Sequence, residues 1–106
     1  MPLLRKLFMS KQRRKSINEA LSKNAKEFDE LQERIESDER NQRGEVMNQF
    51  IQDMLKAGAD LDSKESDRIT EEAERTCNEI SDEAERKRQQ ARKNYEHRNK
   101  QILSMR

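Results

Sequence analysis

Residues 69–90 read ITEEAERTCNEISDEAERKRQQ, and the run Ile69-Thr70-Glu71-Glu72-Ala73-Glu74-Arg75 returns eleven positions later as Ile80-Ser81-Asp82-Glu83-Ala84-Glu85-Arg86. The spacing continues outward: Ala91 and Ile102 extend the isoleucine series, and Tyr95 extends the series of Ala73 and Ala84. Eleven residues in three turns is about 3.67 per turn, slightly looser than the α-helix, so the seam stays nearly parallel to the helix axis or drifts gently right-handed. A seam this thin does not hold a helix in water by itself. It predicts a neighbour, either the earlier part of the chain folded back or another chain.

The rest of the composition points the same way. Hydrophobic residues are 30% of the 106, charged residues are 42%, and Trp is absent, which leaves too little apolar matter for the broad core of a compact enzyme. Two glycines (Gly44, Gly58) and one proline (Pro2) are too few turn residues for many short strands, while Glu, Lys, Arg, Gln and Ala favour helix. The fold class is therefore all-α: an extended helical hairpin or coiled coil with a long C-terminal helix of eleven-residue periodicity.

The chain divides by pattern into five stretches. Residues 1–15 form a basic amphipathic segment with Leu3, Leu4, Leu7 and Phe8 on one helical face, suited to docking in a partner's groove or lying on an anionic membrane. Residues 16–43 read as a heptad helix, with Ile17, Leu21, Asn24, Phe28, Leu31 and Ile35 spaced by fours and threes. Ser16 with Glu19 resembles a capping box and predicts a helix boundary there. Asn24 in that seam would set register at a cost in stability, unless a slight rotation hands the position to Ala25. The seam fades after Ile35, and Gly44 reads as a C-cap or hinge. Residues 44–58 carry the densest apolar stripe, Val46, Met47, Phe50, Ile51, Met54 and Leu55. Gly58 ends that helix, 59–66 is the loop, with Asp62 and Glu65 placed for a capping box, and 67–106 is one long charged helix.

The net charge of +1 conceals blocks: residues 1–16 sum to +6, 67–85 to −6 and 86–106 to +7. Such blocks set register, attract a partner of opposite sign or keep a surface solvated. Arg13, Arg14, Lys15, Arg86, Lys87, Arg88, Arg92 and Lys93 are the candidate basic contacts.

Motifs for chemistry fail when tested. Residues 60–71 (DLDSKESDRITE) place Lys64 where a calcium loop needs an oxygen and Glu65 where it needs glycine. Cys77 and His97 stand 20 residues apart, without the cluster zinc requires. No nucleophile with a matching base and no phosphate-binding glycine loop is found, so no enzyme, cofactor or small-molecule substrate is expected. A single cysteine points to a reducing compartment and a cytoplasmic location, and no apolar run approaches the roughly 20 residues of a membrane span. In Glu-Ala content and period the last third resembles the rods of rotary ATPase peripheral stalks.

These readings predict a non-enzymatic scaffold or adaptor that assembles with itself or with a larger protein complex. The expected assembly residues are Ile17, Leu21, Phe28, Leu31, Ile35, Met47, Phe50, Ile51, Met54, Leu55, Ile69, Ile80 and Ile102. The alternatives are a peripheral membrane protein anchored by its N-terminus and a nucleic-acid-binding helix centred on the basic C-terminal third, although the acidic stretch just before it would repel a duplex.

Overall fold

The computed structural model describes the backbone of residues 2–58 and 62–105, and the side chains of 10–58, 62 and 64–105. The chain is an all-α helical hairpin of two helices, α1 (Pro2–Ala57) and α2 (Ser63–Leu103). Pro2 sits at the first helical position, where its missing N–H has no intrahelical acceptor to lose.

α1 runs through both places where a break is expected. It passes Ser16 without a boundary, and at Gly44 it has neither a cap nor a hinge, because φ is positive at Gly58 alone among the glycines. One helical glycine costs about 1 kcal/mol relative to alanine, too little to break a helix whose turns on both sides are packed. The stop comes at Gly58, whose φ of 65° is the left-handed conformation that glycine adopts most readily.

α2 starts earlier than the expected loop of 59–66 allows. Asp62 Oδ1 accepts the Glu65 N–H at 2.7 Å and the Asp62 carbonyl accepts the Ser66 N–H at 3.0 Å, so Asp62 is the N-cap. The Glu65 carboxylate turns to Arg68 at 2.6 Å. Residues 59–61 lie outside the described residues.

Two compact units make up the hairpin, a terminal unit (Met1–Glu33 with Gln89–Arg106) and a central unit (Arg34–Arg88). In the terminal unit Ile17, Asn24, Ala91 and Ile102 are buried, and Phe28 stacks on Tyr95 with ring centroids 4.6 Å apart. Asn24 lies level with Tyr95 and Asn99, so in an antiparallel pair Ile17 comes level with Ile102, one residue before α2 ends. The first turns of α1 therefore run beyond the end of α2. In the central unit Ile35, Ile69 and Ala84 are buried, with Val46, Phe50, Ala73 and Ile80 half-buried beside them.

The period of α1 is the main correction. Its inward residues recur every eleven positions, Ile17, Phe28, Glu39 and Phe50 in one series and Asn24, Ile35, Val46 and Ala57 in another, all buried or half-buried. The expected heptad fails at Leu31, which is 37% exposed while Gln32 is half-buried. A heptad seam winds left-handed whereas an eleven-residue seam runs straight, so a helix packed along α2 must share its period.

Candidate interaction surfaces

The helix-to-helix seam takes up most of the expected assembly residues. Ile17, Ile35, Ile69 and Ile102 are buried, and Leu21, Phe28, Phe50, Met54 and Ile80 are half-buried. The thin eleven-residue seam of α2 is thus covered by α1 of the same chain.

Polar residues also enter this seam. Asn24, 6% exposed, donates from Nδ2 to the Tyr95 carbonyl at 3.2 Å and to Asn99 Oδ1 at 2.8 Å, so Asn24 and not Ala25 holds the innermost position. A buried amide that finds acceptors in one alignment only is a register device. In the central unit the Arg88 guanidinium lies 3.1 and 3.2 Å from the two carboxylate oxygens of Glu39, with Glu85 at 3.6 Å. Charge-assisted pairs of this kind are stronger than neutral ones, and their partial burial here protects them from screening. Arg88, expected as a basic contact, is therefore engaged within the hairpin. Glu39 and Gln32 were invisible to an apolar pattern, although counting back by eleven from Phe50 and from Met54 reaches them.

The remaining apolar side chains face outward. Met47, Ile51 and Leu55 are 53%, 48% and 74% exposed and stand at i, i+4 and i+8 on α1, one stripe of the central unit. Between Met47, at the start of that stripe, and α2 lies a groove of about 480 Å³ lined in part by Arg43, Met47, Phe50, Ala73, Glu74 and Cys77. The cysteine is free and half-buried. Gly44 precedes Met47 by three residues and Ile51 by seven, and a Cβ placed on it would meet nothing within 4 Å.

The two units differ in charge. The terminal unit holds 13 basic and six acidic residues, +7, and the central unit ten basic and 16 acidic, −6. Among the described residues the ion pairs belong to the central unit, where Arg40, Arg68, Arg86 and Arg88 each meet a carboxylate. Of the expected basic contacts, Arg86 is engaged by Glu83 at 2.6 Å and Lys87 is exposed in the central unit. Arg13, Arg14, Lys15, Arg92 and Lys93 are exposed in the terminal unit with no ion pair among the described residues. The side chains of Leu3, Leu4, Leu7 and Phe8 lie outside the described residues.

Among the described residues no group of His, Cys, Asp and Glu is placed to hold a metal ion, and no helix is long and apolar enough to cross a membrane. Comparison with protein-family models, curated proteins and solved structures returns no match to the chain.

Proposed function

We propose that the chain is a non-enzymatic helical scaffold or adaptor that docks a helix of a protein partner on its central unit. The observation that carries the reading is the stripe of Met47, Ile51 and Leu55, left exposed on a hairpin whose own seam is already filled. Amphipathic helices bind such stripes through side chains at i, i+3, i+4 and i+7 spacing. Contiguous apolar surface of this kind marks interaction sites more often than scattered single residues do.

The test is the double substitution Ile51→Asp with Leu55→Asp, examined by the migration of the native complex under non-denaturing conditions. Wild type runs above its monomer mass of 12.7 kDa, and the variant shifts toward that mass with an unchanged circular dichroism spectrum. An unshifted complex refutes the reading. Phe50 is unsuitable for this test, because it is half-buried in the seam and its replacement by Asp would open the hairpin.

A second reading is carried by the bases of the terminal unit that are exposed and without an ion pair among the described residues, Arg13, Arg14, Lys15, Arg92 and Lys93, which favour an anionic surface. It predicts binding to vesicles that rises with their anionic lipid content and falls with salt. Arg13→Glu with Arg14→Glu should weaken that binding, and equal binding by the variant refutes it.

A further inference from the structure

Resting on the assembly reading above, we propose that the occupant of the Met47, Ile51 and Leu55 stripe is the N-terminal helical overhang of a second copy of this chain. Three observations converge on that occupant. In the register of the terminal unit, the first turns of α1 lie beyond the level of Leu103, the last residue of α2. Their sequence places Leu3, Leu4, Leu7 and Phe8 at i, i+1, i+4 and i+5, and residues 1–16 carry six basic residues and no acid. The unit that bears the stripe carries −6.

Lengths and charge both fit. From Met47 to Leu55 the stripe runs about 12 Å along its helix, and residues 3–8 cover about 7.5 Å, so the apolar turn and a half of the overhang lies within it. The groove beside the stripe carries one base, Arg43, and one acid, Glu74, so the attraction comes from the field of the whole unit rather than from a local pair. That field steers a basic helix toward the central unit, and the apolar contact then holds it.

Gly44 adds a further sign. Nothing inside the hairpin occupies the space its Cβ would fill, so intrachain packing does not call for glycine there. A bare backbone next to an exposed apolar stripe allows a second helix to approach closely.

The experiment is light scattering on the full chain and on two double variants, Ile51→Asp with Leu55→Asp (stripe) and Leu4→Asp with Leu7→Asp (overhang). Circular dichroism checks that each stays helical. Wild type should self-associate with a Kd of about 10 µM, weak because the contact lies at the small end of the interface range. Raising salt from about 50 to about 500 mM should weaken it at least about tenfold. Each variant alone should be monomeric, and their equimolar mixture should recover a two-chain complex, because one supplies the overhang and the other the stripe. A mixture that stays monomeric, or a stripe variant that still associates, overturns the proposal. Wild type that stays monomeric at about 1 mM, some hundredfold above the expected Kd, also overturns the second copy as occupant. That last outcome leaves the broader reading intact, because the broader reading fails only when the native complex ignores the stripe variant.

Discussion

Two glycines that look alike in the sequence should respond to the same substitution with opposite signs. Gly44 lies inside α1 with ordinary helical φ and empty space where a Cβ would stand, so Gly44→Ala gains the difference in helix propensity, about 1 kcal/mol, with no clash to offset it. Unfolding entropy of about 2.1 cal/mol/K per residue amounts to about 0.22 kcal/mol/K for a chain of this length, so Tm should rise by about 4–5 °C. Gly58 also has open space around it, but its φ is 65°, and forcing an L side chain into that conformation costs about 1–2 kcal/mol. Gly58→Ala should therefore lower Tm by about 5–9 °C. Thermal and urea melts followed by circular dichroism at the helical minimum measure both. In dilute protein, where self-association is absent, a fall in stability for Gly44→Ala would refute the reasoning, because it would mean that α1 bends or packs closely at Gly44 within its own hairpin. Equal effects at the two glycines would refute it as well.

Asn24→Leu should raise Tm, since a buried amide gives way to an apolar side chain, yet it should multiply the amide resonances of the terminal unit as the helices sample more than one alignment. A single set of resonances would show that Asn24 does not fix register. Arg88→Ala leaves the Glu39 carboxylate without its guanidinium partner and should destabilise by about 1–2 kcal/mol, the ordinary loss for a broken pair reduced for its partial exposure. Glu39→Gln in the same background should recover part of that loss in urea melts, and no recovery would mean that the pair is incidental. The Arg68 guanidinium, chiefly through its hydrogen bond, holds the Glu65 carboxyl below its ordinary pKa, and Glu65 in turn raises that of Arg68. A lowered carboxyl contributes its stability above the unfolded pKa and loses it as pH falls through the folded one. Amide exchange in the first turn of α2 should therefore be protected down through the usual glutamate range and loosen below it. Glu65→Gln should remove that acid dependence, and an unaltered pH profile in the variant would assign the effect to another group.

Reading the chain by apolar spacing reached α2 and missed half of α1. The repeat of Ile69, Ile80, Ala91 and Ile102 is visible because every member is apolar or small. The matching series in α1 passes from Phe28 through Glu39 to Phe50, and a carboxylate breaks an apolar pattern. Ile17, Leu21, Asn24, Phe28 and Leu31 imitate a heptad seam over two repeats, and the imitation ends where Gln32 turns inward in place of Leu31. The same difficulty concealed the contrast between Phe50 and Ile51. Both are large, apolar and adjacent, and only the position of the second helix makes one a seam residue and the other part of an open surface.

What the amino-acid order determined by itself is whatever depends on near neighbours: helix nearly throughout, a stop at Gly58, a start capped by Asp62, the eleven-residue period of α2 and the blocks of charge. These follow from backbone propensity, capping and spacing, which act over a few residues. Only the tertiary structure decided that the neighbour of α2 is α1 of the same chain, that Asn24 and Glu39 belong to the seam, that Arg88 is held inside the hairpin, and that Met47, Ile51 and Leu55 face outward. Those outcomes depend on the register of two antiparallel helices, set by pairs such as Asn24 with Asn99 and Glu39 with Arg88, whose members stand 75 and 49 residues apart in the chain.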